Sequence, residues 1–167
     1  MLTIVHIVNQ FFAGIGGEEK ADAHVGVLEG AAGVARGLQA QLGKKAKVVA
    51  TIFFGDNFFH EHTKEAMSAI VSEVRSRTPQ VVVAGPAFNS GRYGLASVEI
   101  CQAVAERLGI SCVVGMHSEN PAVSAYREYR NMRVYLLPTA ESAAGMPEAL
   151  SLMARFACRV GSGAEIG

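Results

Sequence analysis

Apolar residues in this chain come in two rhythms. Residues 3–8, 47–54, 80–84, 111–115 and 133–137 are short, rich in Val and Ile, and mostly apolar on both faces. Continuous apolar strands of this kind are expected where helices cover both sides of a parallel sheet. The segments between them carry the other rhythm. Leu28, Ala31, Ala35, Leu38 and Leu42 recur at helical spacing, with Gly43 where a C-terminal cap belongs. Ala66, Met67, Ile70, Val71 and Val74 repeat the stripe before Pro79, and Val98, Cys101, Ala105 and Leu108 do so before Gly109. Leu150, Met153, Ala157 and Val160 form a last stripe, with Pro147 tolerated at its start. The alternation predicts an α/β, Rossmann-like three-layer fold. It has a mainly parallel sheet of about five strands, right-handed crossovers and helices on both faces.

At 167 residues, half of them hydrophobic, the chain suits one domain, expected over residues 1–160. Residues 161–167 read as a tail or the start of a linker. The 15 basic residues balance 15 acidic ones, which excludes a nucleic-acid binder that works through bulk positive charge. No apolar run approaches the roughly 20 residues needed to span a bilayer, and the N-terminus has no signal-peptide pattern. The three cysteines form no C-x-x-C and fall on apolar stripes or in a strand, as small core residues do. A cytoplasmic protein is expected.

In an open α/β sheet, ligands bind beyond the carboxyl ends of the strands, and the unusual residues of this chain gather there. Glycines, amides and charges fill the loop from Asn9 to Lys20 and the loop from Gly85 to Gly94. Gly14 and Gly16 fit the start of a dinucleotide fingerprint, but Glu19 stands where its third glycine belongs. Adjacent Glu18 and Glu19 would also repel a pyrophosphate. The pair suits either the positive end of a helix dipole or a cationic group. Arg92, at a strand-to-helix junction with Asn89 and Ser90, can clamp a carboxylate or phosphate, or be solvated while Ser90 caps the helix. Asp56, His60 and His62, and likewise His117 and Glu119, match no common zinc spacing, so no metal is expected. The histidines near 60 read as loop residues, with Thr63 capping the next helix. No G-x-S-x-G is present, and no catalytic residue is assigned. Carboxylates for an amine end, Arg92 for an acid end, and Phe58, Phe59, Phe88 and Tyr93 as aromatic walls would suit a small zwitterion.

Four segments resemble component B of the glycine, sarcosine and betaine reductases. The first is Asn9-Gln10-Phe11-Phe12-Ala13-Gly14-Ile15-Gly16-Gly17-Glu18-Glu19-Lys20-Ala21-Asp22. The second is Ala84-Gly85-Pro86-Ala87-Phe88-Asn89-Ser90-Gly91-Arg92-Tyr93-Gly94. Gly115-Met116 with Glu119-Asn120-Pro121 is similar to a third block, and Ser142-Ala143-Ala144-Gly145-Met146 to a fourth. The chain departs from the family at Ala23-His24-Val25-Gly26 and near Val34-Ala35, where the family tends to have proline. The resemblance implies a substrate-selecting subunit or N-terminal domain of a complex that reductively cleaves a C–N bond, or a C–S bond, of a small amino-acid-like substrate.

The same resemblance implies a partner chain bearing the redox selenocysteine or cysteine, a pyruvoyl group on a companion subunit, and a hetero- or homo-oligomer. The family's selenocysteine lies in a C-terminal half that this chain does not include. The expected binding residues are Asn9, Gly16, Gly17, Glu18, Glu19 and Asp56 from the first two loops. Phe88, Asn89, Ser90, Arg92 and Tyr93 follow from the third, and Glu119 and Asn120 from the fourth. Two other readings compete: a non-catalytic assembly subunit whose glycine-rich loops meet a partner's main chain, and a free-standing small-molecule binding protein.

Overall fold

The computed structural model describes residues 1–129 and 133–163. Its strands are β1 (Leu2–Asn9), β2 (Gly26–Glu29), β3 (Ala46–Phe54), β4 (Val81–Ala84), β5 (Ser111–His117) and β6 (Val134–Thr139). They form one sheet in the order β2-β3-β1-β4-β5-β6, parallel throughout except for β2, which runs antiparallel along β3. The helices are α1 (Ala35–Leu42), α2 (Asp56–Glu61), α3 (Thr63–Arg77), α4 (Gly91–Leu108), α5 (Ala122–Tyr129) and α6 (Met146–Gly161). The expected α/β fold with helices on both faces is therefore the one observed.

The central strands read as apolar on both faces because both faces are covered. On one side Ile70 and Val74 of α3 and Ile100 and Val104 of α4 pack against Val5, Ile7, Val82 and Val114. On the other, Leu38 and Leu42 of α1 and Leu150 and Met153 of α6 pack against Ile4, Val48, Val83 and Val113. All four residues of β4 are fully buried, as burial between two helical layers requires.

Local expectations are corrected at several points. Leu28 and Ala31 do not begin the first helix, because residues 26–29 form the edge strand β2 and α1 starts only at Ala35. Gly30 and Gly33, at φ +70° and +58°, turn the chain between them and end any helical continuation. The edge strand β2 brings the sheet, expected to have about five strands, to six. The segment after β3 is helical rather than a loop, since α2 begins at Asp56, and His60 lies on it. Thr63 is the first residue of α3 rather than its side-chain cap; its hydroxyl donates to the Phe59 carbonyl at 2.7 Å. α6 runs to Gly161, and residues 164–167 of the expected tail lie outside the described residues. Gly43 and Gly109 do end α1 and α4 with positive φ.

Candidate functional site

The chain leaves β1 toward β3 on one side and leaves β4 toward β5 on the other. The crevice between the carboxyl ends of β1 and β4 is therefore the point where the winding reverses, the place where open α/β sheets bind ligands. A cavity of about 380 Å³ opens there.

Its floor is built by amides from the end of β1. Asn9 Oδ1 accepts the Phe12 backbone N–H at 3.0 Å, while its Nδ2 donates to Asp56 Oδ2 at 3.1 Å. Gln10, also buried, accepts the Asp56 backbone N–H at 3.1 Å and donates to the Gly17 carbonyl at 3.3 Å. Two consecutive amides thus fasten the first loop to the start of α2 and hold the Asp56 carboxylate over the crevice.

Asp56 is buried, and its Oδ1 has no hydrogen-bond partner. Burial pushes its carboxyl above the ordinary value; the Arg92 charge and the Asn9 and Gln10 hydrogen bonds pull it back, and Glu18 adds a smaller upward push. The Tyr93 hydroxyl, beside Asp56 in the same wall, is also buried without a hydrogen-bond partner. Burial drives its pKa well up, against a smaller downward pull from the backbone amide of Asn9, which it faces without forming a geometric hydrogen bond.

Arg92 sits in the first turn of α4 at the mouth. One terminal nitrogen donates to Asn57 Oδ1, and the other meets both carboxylate oxygens of Glu18, at 3.1 and 3.0 Å. A second cavity of about 460 Å³ lies on the far side of Asp56 and Arg92, between α2 and α4. A larger one, about 710 Å³, lies at the opposite edge of the sheet between α1 and α6, away from every charged residue singled out in the sequence.

The structure brings together Asn9, Gly17, Glu18 and Asp56 with Phe88, Asn89, Ser90, Arg92 and Tyr93 around the crevice. It does not place Gly16, Glu19, Glu119 or Asn120 on the cavity wall. Glu19 folds back to accept the Gly17 backbone N–H at 3.0 Å, a bond that together with its own backbone amide lowers its pKa. Glu119 is exposed.

Asn120 works from behind the third loop. Its Nδ2 donates to the carbonyls of Phe88 and Ser90, each at 3.0 Å, and its Oδ1 accepts the Ala122 N–H at 2.9 Å. These bonds hold Phe88 at φ +50°, a conformation that a bulky L residue seldom adopts. Gly94 belongs to the same device, since a Cβ there would stand 2.6 Å from Asn120 Oδ1.

The aromatic wall also differs from expectation. Phe12 meets Phe88 and Tyr93 at centroid distances of 6.2 and 5.8 Å, and Phe11 packs on Phe12 at 5.4 Å. Phe58 instead stacks on His24 at 4.3 Å, and Phe59 lines the second cavity. Gln10, Phe11, Phe12, Ala87, Glu141 and Ala143 line the cavity without being among the expected binding residues. Two adjacent phenylalanines just past a strand end were the available signal for Phe11 and Phe12, and Gln10 carried none. Among the described residues no group of His, Cys, Asp and Glu is placed to hold a metal ion, and no cysteine lines the crevice. No described helix is long and apolar enough to cross a membrane.

The molecule is thus a doubly wound α/β domain with a charged, aromatic-walled crevice at its switch point. The chain belongs to the glycine/sarcosine/betaine reductase selenoprotein B family, whose pattern matches residues 1–167. It is 46% identical over 166 residues to the glycine reductase complex component B subunit gamma of Peptoclostridium litorale. To the sarcosine reductase complex component B subunit beta of Peptoclostridium acidaminophilum it is 41% identical. To that organism's betaine reductase complex component B subunit beta it is 37% identical. The first two alignments cover 99% of this chain and 37% of the relative, and the third covers 96% and 36%. The chain thus spans little more than a third of the length of these relatives. Among solved structures, a de novo designed protein of P-loop NTPase fold aligns over 97% of this chain and 95% of its own, with a TM-score of 0.45 and 16% identity. A likeness so slight carries no functional meaning.

Proposed function

We propose that this domain is the substrate-selecting part of a reductase complex, and that its switch-point crevice holds a small amino-acid-like molecule whose C–N or C–S bond is cleaved reductively. The observation that carries the reading is the meeting of Asp56, Glu18, Arg92 and an aromatic wall over one crevice, built mainly from two of the segments that resemble the family. A carboxylate floor, a guanidinium at the mouth and aromatic rings complement an ammonium and an acid on one small molecule. No thiol of this chain reaches the crevice, since Cys101 and Cys112 are buried in the core and Cys158 lies by the opposite edge of the sheet. The selenol or thiol, and any pyruvoyl group, therefore come from polypeptide outside this domain and enter through the open mouth. All three cysteines are free thiols, which suits the reducing cytoplasm.

The test is calorimetric titration of the domain, and of the assembled complex, with glycine, sarcosine and betaine. One of them binds, and Arg92→Ala weakens it by about tenfold, the loss typical of a charge-assisted hydrogen bond. Undiminished affinity in Arg92→Ala removes the clamp role. A second reading, a protein interface at the same edge, draws on Phe11, which is 60% exposed at the rim. It predicts no small-ligand binding at all, and loss of subunit assembly in Phe11→Ser.

A further inference from the structure

Arg92 is not waiting empty for an acid. Glu18 already supplies it with a carboxylate, both oxygens facing one guanidinium nitrogen across 74 residues of sequence. The two partners line the same crevice, and the Glu18 side chain is 72% exposed. An exposed ion pair of this kind is easily exchanged for another carboxylate, because water screens it and solvates the released group. Glu18 opens a short turn whose backbone is closed by the Ala21 N–H on its carbonyl at 3.1 Å, so its side chain can leave Arg92 without the turn breaking. Gly17 is held by its own N–H to Glu19 and by its carbonyl, which accepts from Gln10 and from the Lys20 N–H at 2.9 Å, so the backbone beneath Glu18 stays in place while the side chain moves. Arg92 is better fixed, since Asn57 on α2 keeps a bond to it that an exchange at Glu18 leaves untouched.

Resting on the substrate-binding reading above, we propose that Glu18 is an internal competitor for the acid end of the ligand. A carboxylate-bearing ligand takes Glu18's place on Arg92, and the exposed Glu18 side chain swings away from the mouth as it does so. Glu18 then sets specificity. Ligands lacking an acid group gain nothing from the exchange and leave the crevice latched, whereas acids must outbid an intramolecular carboxylate.

The experiment compares wild type, Glu18→Gln and Glu19→Gln with three probes: glycine, acetate and methylammonium. Glu19→Gln removes the same charge from the same turn but leaves the pair with Arg92 intact. Glu18→Gln is expected to bind glycine and acetate about two- to fivefold tighter than wild type, the exchange value of an exposed ion pair. Its affinity for methylammonium should not rise. The Gly16 and Gly17 amide resonances of wild type should shift on glycine binding toward positions that Glu18→Gln shows before any ligand is added. Glycine binding that is unchanged in Glu18→Gln, or raised equally by Glu19→Gln, overturns the competitor role while leaving the binding site standing. Absence of binding by any of the three proteins overturns the substrate-binding reading, and the competitor role falls with it.

Discussion

Gly55→Ala is expected to destabilise the domain by about 3 kcal/mol or more and to dismantle the crevice with it. Gly55 has ordinary backbone angles, φ −76° and ψ 135°, so the objection to a side chain there is purely one of space. A Cβ would stand 2.6 Å from both the N and the O of Ala23 and closer still to the Ala21 carbonyl oxygen. All three atoms are backbone, so no side chain can swing aside. The contact is close because the end of the first loop serves as the N-terminal cap of α2. The Ala21 carbonyl accepts the N–H groups of Asn57 and Phe58 at 2.9 and 3.1 Å, and the Gly55 N–H donates to Ala23 O at 2.9 Å. These are donors that a short helix otherwise leaves unsatisfied, and no side chain caps α2. Pushing residues 21–23 away exposes those donors and pulls Asp56 from Asn9 and Gln10. Urea unfolding measures the loss, with Gly91→Ala as control. There a Cβ meets only Pro121 Cγ at 3.9 Å, and stability should hold within about 0.5 kcal/mol. A Gly55→Ala protein as stable as wild type would show that the loop and α2 are not locked as described.

That lock is also a measure of what the sequence could convey. The apolar runs at residues 80–84 and 111–115 announce strands because burial on both faces leaves no room for polar alternation, and Gly43 and Gly109 announce helix ends because only glycine enters that conformation freely. β2 was not legible. It has four half-buried or exposed residues at an edge, and its partner β3, some 20 positions away, decides its conformation rather than any pattern of its own. Leu28 accordingly reads as helical, although it pairs with Thr51.

The site divides the same way. Asp56, Arg92 and the glycine-rich loops stand out because charge and glycine at strand ends have no packing reason to be there. What each residue does there depends on distances that no spacing encodes. Arg92 meets Glu18 rather than open solvent, and Asn120 turns its amide to the back of the third loop. Gln10 looks like an ordinary polar loop residue until its burial beneath Asp56 is known.

The stability of the domain is expected to fall by about 3 kcal/mol as pH drops from 6.5 to about 4, through one histidine on the central strand. His6 is fully buried on β1, and its Nε2 lies 2.6 Å from the carbonyl oxygen of Gly85, where the third loop begins. The carbonyl can only accept, so Nε2 carries the proton and Nδ1 is the bare nitrogen, which finds no partner. Protonating Nδ1 would place an unpaired cation in the sheet. Burial therefore lowers the pKa to about 4, although the Gly85 bond pulls it upward. The unfolded chain takes up a proton near 6.5 and the folded one only near 4. Between those values the unfolded state binds more protons, so stability is full above the window and is lost as pH falls through it. Asp56 acts in the opposite sense: burial raises its folded pKa, so the folded state holds its proton longer and recovers some stability as pH falls. Urea unfolding of Asp56→Asn from pH 7.5 to 4 should show a steeper slope than wild type, because the opposing contribution of Asp56 is gone. His6→Gln, whose amide can still donate to Gly85, should flatten it. A His6 imidazole resonance that titrates near 6.5 in the folded protein would remove the cause and the slope together.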